Sequence, residues 1–262
     1  MKKALTYGSY LQLEELLSLQ EPLSEGPEHD EMLFIVIHQV YELWFKEVLH
    51  ELDYVDRLFA AGDRPSVLHT MKRVLTILKV LVSQLDILET MTPLQFMSFR
   101  SRLEAASGFQ SYQFRELEFL LGVKDELAIR RFPEGSTGRQ ALEKRYGERS
   151  LWDAFLRFLH GAGYSLSPET LGRDVTRPVE LSDDVQDVLL EVYREDPEIA
   201  AVCERMVDLD EGIQEWRYRH VKMVERTIGA KRGTGGSSGS EFLHTTLNRP
   251  VFPDLWAIRA RL

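Results

Sequence analysis

Apolar residues recur every three or four positions over nearly the whole of this chain, and that spacing constrains its fold more than any other feature. In residues 30–61 the repeat runs through Leu33, Val36, Ile37, Val40, Leu43, Trp44, Val48 and Leu52, which is the pattern of an amphipathic helix. It breaks at Ala61-Gly62-Asp63-Arg64-Pro65, where glycine can end one helix and proline suits the first turn of the next. Val67, Met71, Val74, Leu78, Leu81, Leu85 and Leu88 then continue it to Glu89. Thr92-Pro93 predicts a cap and first turn for a helix running through Phe96, Arg100 and Leu103. Ser107-Gly108 interrupts, and residues 110–121 resume. Between Asp125 and Pro178 the pieces shorten and gain Gly and Pro, with helices expected over 141–146 and 151–160. Helix returns at Asp183, and residues 197–228 carry the stripe Met206, Leu209, Ile213, Trp216, His220, Val224, Thr227. Strict alternation persists nowhere. The expected fold is all-α, a helical bundle with long core helices and a more irregular middle segment.

Length fits one elaborated domain, 1–262. Within it, residues 1–20 read as an amino-terminal arm. Tyr7, Tyr10, Leu11, Leu13, Leu16 and Leu17 exceed what one helix face needs, and a helix this short is marginal alone. It must dock on something, either its own chain or another. The charge balance, 32 basic against 42 acidic residues with a net of -10, argues against nucleic acid and anionic membrane as partners. Cys203 is the only cysteine, so no intrachain disulfide or thiolate cage can form, and the cytoplasm is the simplest compartment. Gln12, Glu14 and Glu15 break the apolar core that a signal peptide would need. No apolar run is long enough to cross a bilayer.

Four features bear on chemistry. Residues 229–240 are the least helical stretch, yet they lack the Gly-Lys-Ser/Thr of a phosphate loop. They suit either a surface loop or a lid that orders on a ligand. His38 and His220 each sit within a long apolar stripe, beside Phe34 and Trp216 respectively. A lone core histidine usually bonds a backbone carbonyl. Two on separate helices could instead serve a haem, one ligating iron and one facing the ligand side. Glu47-Val48-Leu49-His50 and Glu241-Phe242-Leu243-His244 are both Glu-x-x-His, which keeps a di-iron bundle open as a rival. Arg100 shares a helix face with Phe96 and Leu103. It either snorkels to solvent or holds a carboxylate in a bidentate pair.

Four segments in order carry a resemblance. They are Leu5-Thr6-Tyr7-Gly8-Ser9-Tyr10-Leu11, then His29-Asp30-Glu31-Met32-Leu33-Phe34-Ile35 leading into His38-Gln39 and Glu42-Leu43-Trp44. Phe99-Arg100 with Ser107-Gly108-Phe109-Gln110-Ser111 follows, and Trp216-Arg217-Tyr218-Arg219-His220 runs on to Lys231-Arg232-Gly233-Thr234-Gly235-Gly236-Ser237-Ser238-Gly239. Together they resemble the tryptophan 2,3-dioxygenase family from Leu5 to about Phe252, most weakly between Asp125 and Glu195.

The resemblance implies haem b as cofactor and L-tryptophan and O2 as substrates. The product would be N-formylkynurenine, the first step of tryptophan degradation by the kynurenine pathway. His220 aligns with the axial haem ligand, His38 with the distal histidine that meets the indole N–H, and Phe34 with an aromatic packed on the indole. Arg100 corresponds to the carboxylate-binding arginine, and Thr234, next to Gly233, to the loop threonine at the amino-acid end. Phe96 and Leu103 fall in the same substrate region, and Phe96 stands where some members have a tyrosine that touches the carboxylate. Tyr7, Tyr10 and Leu11 align with residues that reach into a neighbouring subunit's site, in homotetramers built from interlocked dimers. A related haem enzyme acting on another indole or aromatic amino acid stays open.

Overall fold

The computed structural model describes residues 4–26, 28–104, 106–231 and 240–262. The arm carries α1 (Tyr7–Leu11) and α2 (Leu13–Leu16). Two long helices follow, α3 (Asp30–Ala61) and α4 (Arg64–Leu88), and then the short α5 (Pro93–Arg100) and α6 (Tyr112–Leu120). The middle holds α7 (Glu126–Ile129), α8 (Thr137–Gly147), α9 (Leu151–Gly161) and α10 (Pro168–Leu171). The chain closes with α11 (Asp183–Glu195), α12 (Pro197–Ile228), α13 (Ser240–His244) and α14 (Pro253–Ala257). Among the described residues there is no strand, and no helix is long and apolar enough to cross a membrane. The fold is all-α.

Local chemistry sets most of these boundaries. Gly62 ends α3 at φ 69, a left-handed conformation that costs glycine nothing. One residue on, the Asp63 carboxylate accepts from Ser66 N and caps α4. Thr92 and Gln95 form a reciprocal capping box at the start of α5. Two expectations need correction here. The helix through Phe96 stops at Arg100 and continues only as a 3-10 turn, Ser101–Leu103, because Glu104 takes φ 45, where an α-helix cannot propagate. The helix expected over 141–146 begins earlier, at Thr137, because the Ser136 hydroxyl accepts from Arg139 N.

Packing follows the stripes. α4 lies between α3 and α12 and contacts both along their length. Leu52, Val55, Met71, Val74, Leu81, Met206 and Leu209 are fully buried there. Gly212 lets α12 approach α4 closely, since a Cβ would stand 3.1 Å from Leu78 Cδ1. Such contacts stabilise a bundle by about 1.5–3 kcal/mol for each large side chain removed from water. α9 and α6 pack on α3, and α11 on α12. The arm contributes nothing to this core. It forms two turns split at Gln12 (φ 51), with Tyr7 76% and Tyr10 70% exposed.

Candidate active site

One end of the bundle encloses a cavity where α3, α5, α6 and α12 converge. Helical spacing puts its residues there. Phe34, His38, Glu42 and Phe45 stand on successive turns of α3, and Trp216, His220, Val224 and Thr227 on successive turns of α12. α5 adds Phe96 and Arg100, and α6 adds Phe114 and Arg115. The space is about 240 Å³, far more than the ~15 Å³ that holds one ordered water. A cavity of this size lined mainly by aromatic and aliphatic side chains is built for a ligand.

The two histidines differ in their bonding. His38 Nδ1 lies 2.7 Å from the Phe34 carbonyl oxygen. A carbonyl only accepts, so Nδ1 carries the hydrogen and Nε2 keeps its lone pair. Burial pushes the His38 pKa down, against the Phe34 carbonyl bond and the Glu42 charge. The Phe34 ring packs at 4.1 Å from the His38 ring and 5.8 Å from Phe96. His220 stacks on Trp216 with ring centres 5.1 Å apart and planes 6° apart. Phe45 and Phe114 box that indole in turn. Burial pushes the His220 pKa down to about 4, and the charges of His38 and Arg115 act in the same direction. Among the described residues no hydrogen bond engages either nitrogen of His220. Both rings are therefore neutral near pH 7, the form in which imidazole binds transition metals.

Arg100, Phe34, Phe96 and His38 line the same cavity as His220. Leu103 does not line it; the 3-10 turn carries that residue against the core instead. Tyr7, Tyr10 and Leu11 also lie off the cavity of their own chain. Gly233 and Thr234 fall outside the described residues. The di-iron rival loses its basis. His50 is exposed, and His244 Nε2 is instead 2.5 Å from Glu225 Oε1. No group of three or more His, Cys, Asp or Glu side chains suited to a metal occurs among the described residues. Sequence reasoning missed Arg115, Glu118 and Arg217, which join in the cavity wall. Glu118 and Arg217 lie 99 residues apart, and charges on helices read as solvated faces unless the packing is known.

Fold and site together define an all-helical protein whose bundle surrounds two buried histidines of lowered pKa, one of them with no hydrogen bond among the described residues. The family model of tryptophan 2,3-dioxygenase matches residues 1–159 and 173–262. A tryptophan 2,3-dioxygenase of Herpetosiphon aurantiacus is 58% identical, covering 100% of both chains. One from Anaeromyxobacter sp. is 59% identical over 99% of this chain and 97% of its own. A third, from Caulobacter vibrioides, is 43% identical over the full length of both. The chain belongs to the tryptophan 2,3-dioxygenase family.

Proposed function

We propose that this chain is a haem-dependent dioxygenase that opens the indole ring of L-tryptophan to N-formylkynurenine. The observation that carries the reading is the shared cavity of His220, His38, Phe34 and Arg100, with both imidazoles held neutral by burial. The donor set fits haem: one neutral imidazole with no competing hydrogen bond among the described residues, in an aromatic and aliphatic wall.

His220 would hold the haem iron, and its stacking on Trp216 fixes the ring plane. His38 serves the substrate side, because Phe34 and Phe96 pack around it and Arg100 shares their wall. Haem supplies the redox-active iron at which O2 is activated, the one function no side chain provides. The protein's task is orientation. His38 Nε2 accepts the indole N–H, while Phe34 and Phe96 present ring faces and edges to the indole. Arg100 takes the substrate carboxylate in a charge-assisted pair. Phe96 has no hydroxyl, so Arg100 and Thr234, with Gly233 beside it, hold that carboxylate unaided.

The whole chain is read as one haem-binding domain. Its arm is assigned to a neighbouring subunit, where Tyr7, Tyr10 and Leu11 cover the substrate end of the partner's cavity in a homotetramer of interlocked dimers. Their exposure in the single chain supports this. The deciding experiment supplies haem-loaded protein with L-tryptophan and isotopically labelled O2 under reducing conditions. Two label atoms in N-formylkynurenine are expected; one label atom, or no ring-opened product, sinks the proposal.

A further inference from the structure

His38 faces a wall with more positive than negative charge. That wall carries Glu42 on its own helix, Arg100 on α5, Arg115 and Glu118 on α6, and Arg217 and His220 on α12. Glu118 is taken up by two guanidinium groups: one oxygen accepts from Arg115, the other from Arg217 at 3.0 Å. Glu42 makes no ion pair among the described residues, and its partner is a neutral amide. Gln113 Nε2 donates to the Glu42 carboxylate at 2.8 Å and to the Glu42 backbone carbonyl oxygen at 2.9 Å. Contact at both points fixes the side chain from α6 without cancelling its charge. Glu42 follows His38 by four residues on α3, so the two side chains are neighbours on one helix face, with Cβ atoms about 5–6 Å apart. Between aromatic and aliphatic groups a charge at that range is weakly screened.

We propose that Glu42, locked by Gln113, is a positioning residue for His38: its charge keeps the imidazole Nε2 basic enough to take the indole N–H. The proposal rests on the reading that His38 meets that N–H. His38 Nδ1 is spent on the Phe34 carbonyl oxygen, so only Nε2 can receive the proton. As the proton moves, its bonding pair stays on the indole nitrogen and His38 becomes an imidazolium. Burial opposes that cation, and Glu42 is the charge that works against burial. Arg100, Arg115 and Arg217 oppose it too, the last two blunted by Glu118. A carboxylate engaged by a neutral amide, one turn away, suits the task better than one already shared between arginines.

The test follows binding of L-tryptophan to the ferric holoenzyme through the haem spectrum, as a function of pH. The benzofuran analogue of L-tryptophan, in which oxygen replaces the indole N–H, is titrated beside it. Wild type should lose tryptophan affinity toward acid as His38 Nε2 is protonated, and this limb should be absent for the analogue and in His38→Ala. Removing the Glu42 charge disfavours the imidazolium, so Glu42→Gln should move the limb to lower pH. The expected step is about one pH unit, a tenfold fall in the proton affinity of His38. Glu42→Asp keeps the charge and should restore most of the wild-type position, and Gln113→Leu should shift the limb the same way by a smaller step. A limb that depends on His38 but does not move in Glu42→Gln would overturn the proposal. So would an equal loss of tryptophan and analogue at every pH, which would make Glu42 a packing residue. A pH dependence unchanged in His38→Ala would remove the reading of His38 itself, and this proposal with it.

Discussion

Met206, Leu209 and Ile213 of α12 are buried to 0%, 0% and 3% exposure inside their own chain, whereas Tyr7 and Tyr10 of the arm remain 76% and 70% exposed. Both segments are rich in apolar residues at helical spacing. In α12 every apolar residue of the stripe is accounted for by α4, α11 or the cavity. In the arm Gln39 of α3 holds only the end, at Gln20 and the Leu19 carbonyl oxygen, while Tyr7, Tyr10, Leu11 and Leu17 stay exposed. Under the proposed function the core carries the chemistry within one chain, and the exposed arm belongs to the site of a neighbouring subunit.

The largest effect should come from removing that second region. Deleting residues 1–11 is expected to abolish turnover while leaving haem bound, because no residue of the cavity wall is touched. Full activity in the truncated protein would erase the contrast. Mixing a Tyr7/Tyr10 double alanine variant with a His220→Ala variant sharpens it. If sites are shared, a reassembled hybrid contains one complete pocket, and activity reappears. Demonstrably mixed subunits that stay inactive would confine each site to one chain.

Within the core, the next effect is at Arg100. Arg100→Ala should weaken L-tryptophan by about 2–5 kcal/mol, roughly 30- to 5,000-fold, since it breaks one partner of a charge pair. An indole without the carboxylate should be affected far less. Equal losses for both compounds, measured by binding titration, would make Arg100 structural.

How far the sequence reached follows the same division. α3, α4 and α12 were legible, with bounds set by Gly62, Asp63 and the proline at 197, because a period of 3.6 repeated over many turns leaves one interpretation. Phe34, His38, Phe96, Arg100 and His220 were legible as members of those stripes, and the family resemblance supplied their roles. Leu103 was misplaced because Glu104 turns the backbone to positive φ, and nothing in the residue type announces that. The Arg115–Glu118–Arg217 cluster was invisible, since it depends on α6 meeting α12. The split of the arm at Gln12 was equally hidden, since a left-handed glutamine has no sequence signature.

His38 should matter less than Arg100. His38→Ala keeps haem and removes one neutral hydrogen bond worth about 1 kcal/mol, so turnover should fall roughly fivefold. Loss of haem from this variant would exchange the roles of the two histidines. The smallest effect is in pH dependence. Burial holds the His220 pKa at about 4, well below the usual histidine value of 6.5. The unfolded chain therefore binds more protons between these values, and stability falls as pH drops from 6.5 toward 4. The slope is at most about 1.4 kcal/mol per pH unit from this group. Ligation adds in the same direction, because a protonated imidazole cannot bind iron. Denaturation midpoints at pH 7 and pH 5 should differ in wild type and converge in His220→Leu; an unchanged difference would show that His220 does not titrate this way.

The most direct measurement is the visible spectrum of haem-loaded wild type and His220→Ala, with and without added imidazole. The account predicts a Soret band in wild type, its loss or displacement in His220→Ala with the helical circular dichroism retained, and its recovery when imidazole fills the vacated space beside Trp216. A His220→Ala protein that keeps the wild-type spectrum and haem affinity would contradict the assignment of His220 as the iron ligand.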